Sequence, residues 1–187
     1  MSKYHDDQTE ASDPGCISLC RIKLERFRIA LPFYKRIFAS SQYPPSLLVE
    51  HLFLGDSRAA VVLSVDDSLI VGAYTDEIDC VVLLEFPIEL AQEYNLNIGN
   101  RLLTVNTYFT GTKVVKDLNE GVDSYNQYSN FYPLIAEFLS TDSSVIESRK
   151  SEIDDEEWQK SMMMGEITLK SGVSKPRSGN PYLTIKR

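Results

Sequence analysis

RAAVVLSVDDSLIVGAYTDEIDCVVLLEF, residues 58–86, is the densest apolar block of the chain. Its apolar runs are short and rich in Val, Ile and Leu, and they are broken by Asp66-Asp67 and by Thr75-Asp76-Glu77, residues that favour turns. The block reads as three strands. Connections this short leave no room for a crossover helix, so neighbouring strands are expected to be antiparallel. In the first strand Ala59, Val61, Leu63 and Val65 share one face, while Ala60 and Val62 lie on the other. Both faces are therefore apolar, unlike an antiparallel sheet with one wet side. These strands are expected at the centre of a sheet, with helices, other strands or a second subunit covering both faces.

Toward the carboxyl end, Pro87 suits the first turn of a short helix with Ile88, Ala91 and Tyr94 on one side. Residues 95–100, with Gly99, return the chain to a strand at 101–109, where Leu103, Val105 and Phe109 alternate with Thr104, Asn106 and Tyr108. The helical excursion is long enough for a parallel return, so the direction of that strand stays open. Residues 110–129 read as a polar loop with a minor strand at 113–115. Pro133 is expected to start a helix with Leu134, Ile135 and Phe138 turned inward. Ser151 stands three residues before Asp154 in a capping-box-like arrangement, and the acids at 154–157 suit the first turn of a final helix that Gly165 ends. The remaining 166–187 carry Lys170, Lys175, Arg177, Lys186 and Arg187 against Glu166, a loosely held basic tail with an edge strand at 182–185.

Toward the amino end, residues 47–54 fit a strand or a short helix equally well. Cys16, Cys20, Leu24, Phe27 and Leu31 recur at three- and four-residue steps and lay one apolar stripe along a helix. Pro32 ends or kinks it, leaving 33–38 as a second short piece. Arg21, Lys23, Arg26, Arg28, Lys35 and Arg36 make this segment basic. It reads as a helix docked on an acidic sheet domain with its charges in water. Residues 1–15 read as a flexible acidic arm.

With 187 residues, 43% of them hydrophobic, the chain can bury one sizeable core. The expected organisation is a single α+β domain at 16–165 between the arm and the tail. It holds a largely antiparallel sheet of four or five strands, an N-terminal amphipathic helix and C-terminal helices. A net charge of −8 opposes general nucleic-acid binding, which needs a basic surface to displace counterions. No apolar run reaches the roughly 18 to 20 residues of a membrane span. Three cysteines without a disulfide pattern, and no signal-peptide stretch, point to the cytoplasm.

The most suggestive motif is Leu52-Phe53-Leu54-Gly55-Asp56-Ser57. An apolar segment running into Gly-Asp-Ser resembles the nucleophile turn of the GDSL esterase family. That likeness implies an α/β fold with a parallel sheet and a serine, here Ser57, activated by a histidine placed late in the chain. It spans three residues; the family's late Asp-x-x-His pair and Gly-x-Asn-Asp block are absent, and the only histidines are His5 and His51. The other reading of Gly-Asp-Ser is a turn entering a strand.

Asp66 and Asp67 in one turn, with Asp76, Glu77 and Asp79 in the next, suggest a hard-cation site. Successive turns of a meander lie at opposite sheet ends, however, so solvated turn acids are expected. Cys16 and Cys20 are read as small buried side chains on the docking stripe rather than metal or redox groups, with Cys80, His5 and His51 scattered. Tyr108, Tyr125, Tyr128, Phe131, Tyr132 and Trp158 form a candidate interaction surface, with packing beneath a long loop as the alternative. No phosphate-cradling glycine loop or paired-cysteine motif is present. No catalytic residue, cofactor or metal is assigned.

The expected function is a non-catalytic protein-binding or regulatory module acting through a protein partner or self-association, with neither nucleic acid nor membrane as its target. Two alternatives remain: a hydrolase using the Gly55-Asp56-Ser57 turn, and nucleic-acid or membrane-surface binding through the basic helix at 21–36.

Overall fold

The computed structural model describes residues 11–33, 35, 44–111, 113–125, 127–172 and 174–183. The three-strand block folds as read from the pattern. Strands β1 (Asp56–Val65), β2 (Leu69–Thr75) and β3 (Cys80–Phe86) form an antiparallel meander. Helix α1 (Arg21–Ile29) and helix α2 (Pro45–Leu54) precede it, and helix α3 (Ile88–Glu93) follows behind Pro87. Residues 47–54 are thus helical. Strand β4 (Arg101–Thr110) lies antiparallel to β1, with Ala59 opposite Leu103, which settles its direction.

Strand β5 (Tyr128–Ile135) pairs antiparallel with β4. Pro133 therefore sits inside a strand rather than at a helix start. An edge strand tolerates proline because the missing N–H has no ladder partner to lose. A 3-10 turn, Ala136–Phe138, leads to helix α4 (Ser143–Glu152), which the sequence reading missed, and to helix α5 (Asp155–Ser171). Strand β6, only Arg177–Ser178, then pairs parallel with β3. The α+β class holds, but the sheet has six strands, is mixed rather than largely antiparallel, and runs β5-β4-β1-β2-β3-β6. Two residues carry no periodicity, so β6 had no sequence signal. Residues 113–115 are not a strand, and of the proposed edge strand at 182–185, Tyr182 and Leu183 lie in a turn while the rest falls outside the described residues.

The sheet curls until its edges communicate. Arg177, in β6, donates from Nη1 to the backbone carbonyl of Phe131, in β5, at 3.0 Å, and grips Asp117 through Nε and Nη2 at 2.6 and 3.0 Å. The inner face carries Ala60, Val62, Val71, Ala73, Val82 and Leu84 in the main core. The second apolar face is covered by the chain's own α5. Leu63, Ile70, Tyr74, Val81 and Leu83 meet Met162, Met164 and Leu169, while Ala59 and Val61 meet Trp158.

Close approach of α5 depends on small residues. Ser161, Gly165 and Thr168 face the sheet, and a Cβ on Gly165 would stand 2.8 Å from Leu63 Cδ1. Gly165 is therefore a packing residue and does not end the helix. Gly172, at φ 61°, occupies the left-handed cap position suited to glycine. At the other end Asp154, not Ser151, is the N-cap, and its carboxylate accepts the Glu157 N–H at 2.7 Å.

Residue 165 lies within α5, and the stretch beyond it is held, with Tyr182 buried in the core. At the amino end residues 1–10 and most of 33–38 fall outside the described residues. Residues 13–15 are pinned rather than free: Ser57 N donates to Asp13 O and Gly15 N to Gly55 O, both at 2.8 Å. Of the predicted α1 stripe, Leu24, Phe27 and Leu31 are buried. Cys16, at φ 54°, precedes the helix and Cys20 caps it.

Candidate functional site

Ser57 and His51 are both buried, but they do not form a catalytic pair. His51 Nε2 lies 2.8 Å from the carbonyl of Val105, the residue opposite Ser57 across the ladder, and Nδ1 lies 3.4 Å from Thr107 Oγ1. A carbonyl only accepts, so Nε2 carries the proton and Nδ1 is left toward the threonine. Ser57 Oγ is buried without a hydrogen bond. The antiparallel β1 also departs from the parallel α/β sheet that the esterase likeness implied. Of the turn's residues, Gly55 lies at the end of α2 and Asp56 in an ionic knot.

That knot centres on Arg58, which is 6% exposed. Its guanidinium meets Asp76 from Nε at 2.8 Å, Asp13 from Nη1 at 3.0 Å and Asp56 from Nη2 at 3.1 Å. The amino-terminal arm, β1 and the β2–β3 turn are thereby tied to one side chain. Tyr108 donates to Asp56 Oδ2 at 3.0 Å and Thr75 donates to the Tyr108 hydroxyl at 3.0 Å. Burial pushes the Asp56 carboxyl up to about 6, against the opposing pull of Arg58.

The turn acids are not uniformly solvated. Asp66 and Asp67 are exposed as expected, but Asp79 is buried. It takes Lys160 at 2.6 Å, the Tyr74 hydroxyl at 3.0 Å and the Asp123 N–H at 3.2 Å. The two acid groups are separated by all of β2, so they do not converge, and no group of three or more metal-ligating side chains occurs among the described residues. Cys80 is buried, which pushes its thiol up to about 12 and keeps it unreactive.

Two half-buried glutamates carry out a function that sequence reasoning did not find. Where the β1–β2 ladder begins only at Ala60 opposite Ala73, the Ala59 N–H donates to Glu157 Oε1 of α5 at 2.7 Å. Where β5 leaves β4 after Ile135, the Leu103 N–H donates to both oxygens of Glu137 at 3.1 Å. Each carboxylate supplies an acceptor at a point where the ladder lacks one. Burial pushes both up to about 7, with the same N–H bonds pulling the other way.

Glu137 also lines a cavity of about 540 Å³ between the α3–β4 connection and helices α4 and α5. Tyr94, Leu96, Leu102 and Trp158 supply apolar wall, and Arg101, Glu147, Lys150 and Ser151 the polar rim. Arg101 lies 4.9 Å above the Trp158 ring and pairs with Asp155 at 2.8 Å. Lys150 is 2.8 Å from Glu147 and 3.5 Å from Glu137.

The aromatic set proposed as an interaction surface is divided by the fold. Tyr128, Phe131, Tyr132 and Trp158 are buried, and Tyr108 is half-buried and stacked on Tyr128 at 4.8 Å. Only Tyr125 is largely exposed. Tyr128 and Phe131 belong to the main core, and of the set Trp158 alone lines the groove.

The protein defined by these features is an α+β chain with a curled six-stranded sheet and a rimmed groove beside a buried carboxylate. Comparison with protein-family models, curated proteins and solved structures returned no match.

Proposed function

We propose that this protein is a non-catalytic binding module that takes an extended segment of a partner protein in the groove beside Trp158. The observation that supports this reading is the groove's composition. Its volume of about 540 Å³ lies in the usual range of binding clefts, and apolar wall alternates with charges whose rim partners, Asp155 and Glu147, are exposed and exchangeable. An apolar anchor of the partner fits against Tyr94, Leu96, Leu102 and Trp158. Its carboxylate takes Arg101 or Lys150 in place of Asp155 or Glu147.

Glu137 favours a second reading. A buried carboxyl with a proton affinity near neutrality, beside a lysine in a cleft, is the pattern expected of a general base. Glu157 argues for the structural role: burial raises its pKa in the same way while it accepts a strand N–H under a helix, and it does not line the groove.

A photo-reactive residue placed at the exposed Ser151 tests the binding reading. One dominant adduct is expected from native lysate, absent when Arg101→Glu and Lys150→Glu are combined, and reproduced with the purified partner. Equal adducts from both proteins, or turnover in a hydrolase screen abolished by Glu137→Gln, would overturn it.

A further inference from the structure

A helix docked on a domain with only its charges in water keeps its large apolar side chains inward. Helix α1 does not. Leu24 and Phe27 are buried, but Ile22 is 75% exposed, Ile29 55% and Phe33, just past the helix, 76%. Ile22 and Ile29 are seven residues apart, close to two helical turns, so they lie on one outward line. Arg26 falls on the same line between them. On the wheel Glu25 borders the line on one side, with its partner Arg28 and Arg21 just beyond it, and Lys23 lies on the other side.

The helix carries these four bases against one acid, Glu25, in a chain whose net charge is −8. Lys23 is engaged inward, donating to the carbonyls of Glu137 and Ser140 at 2.7 and 2.5 Å. That contact anchors α1 and leaves Arg21, Arg26, Arg28 and the exposed Lys35 outward. Arg26 and Arg28 are held by the exposed carboxylates of Glu93 and Glu25 at 2.6 Å, contacts that a denser array of anions can replace.

We propose that this face of α1 docks the protein on an anionic lipid surface. Ile22, Ile29 and Phe33 enter the acyl boundary, and Arg21, Arg26, Arg28 and Lys35 meet the phosphates. Exposed aliphatic side chains along one line of a helix rich in long cations, followed by an exposed phenylalanine, are the pattern of an interfacial helix. A second copy of the chain fits the same face poorly, because it would set the outward bases Arg21, Arg26 and Arg28 of one helix against those of the other. A nucleic acid would use the cations and leave the apolar side chains in water. This surface is formed by α1 and does not depend on what occupies the groove beside Trp158.

The test is co-sedimentation of the purified full chain with vesicles of phosphatidylcholine alone, or with phosphatidylserine as about a third of the lipid. Binding is expected only to the second kind, weakened about tenfold or more between roughly 50 mM and 500 mM salt. Ile22→Ser combined with Phe33→Ser lowers the partition by about a hundredfold at unchanged circular dichroism, because both positions are exposed. Arg21→Gln and Lys35→Gln, both at exposed positions, each lower it about fivefold and read the charge contribution independently. The proposal is overturned by any of four results: no binding to phosphatidylserine vesicles at low salt, equal binding to neutral vesicles, full binding by the serine variant, or a dimer that the serine variant abolishes.

Discussion

Replacing Glu157 by glutamine separates its hydrogen bond from its charge. Its carboxylate accepts the Ala59 N–H at 2.7 Å, and its pKa rises from 4.5 to about 7, chiefly because of burial and against the pull of that N–H. Between these two values the folded protein holds a proton that the unfolded chain has already released. Unfolding therefore liberates a proton, and stability falls as pH rises through the window, with the loss complete above about pH 7. At 1.36 kcal/mol for each pKa unit the rise corresponds to about 3 kcal/mol, an upper bound because the side chain is only partly enclosed. Glutamine keeps an acceptor for Ala59 and cannot ionise. Glu157→Gln is thus expected to be within about 0.5 kcal/mol of wild type near pH 5 and more stable by up to about 3 kcal/mol near pH 8. Glu157→Ala orphans the N–H and costs about 1–3 kcal/mol near pH 5. Urea unfolding at the two pH values measures both, and each kcal/mol moves the melting temperature by about 2–4 °C in a chain of this size. A glutamine variant destabilised equally at both pH values would refute the reasoning, because the charged form would then be what β1 requires.

Arg58→Met leaves Asp56 buried without its cation and is expected to cost about 3–5 kcal/mol by the same denaturant assay, whereas a surface-like cost below about 1 kcal/mol would show that the knot contributes little. Gly165→Ala drives a methyl group against Leu63 and is expected to cost about 1–3 kcal/mol, most of it recovered when Leu63→Val is added; additive losses would mean that the two do not touch. Ser57→Ala removes a buried hydroxyl that makes no hydrogen bond, so stability should be unchanged or higher, and any ester hydrolysis lost with it would restore the nucleophile reading.

The meander was legible because its signal is local. Apolar runs broken by Asp66-Asp67 and by Thr75-Asp76-Glu77 leave one way to pair neighbouring strands, and Pro87 and the alternation after Arg101 placed the next two elements. The errors share a cause. Pro133 favours a helix start unless its strand lies at a sheet edge, Gly165 favours a stop unless a Leu63 lies beneath it, and two residues of β6 have no period at all. Each depends on a neighbour distant in sequence.

By itself, then, the sequence determined that residues 58–86 form central antiparallel strands with two apolar faces and that no familiar catalytic constellation accompanies them. Only the tertiary structure decided that α5 covers the second face, that Glu157 and Glu137 complete interrupted ladders, and that Ile22, Ile29 and Phe33 are left facing water. Periodicity shows that a residue is apolar or that a carboxylate exists. Whether it is buried, and which N–H or cation it meets, is set by contacts between segments far apart along the chain, as with the 98 residues separating Ala59 from Glu157.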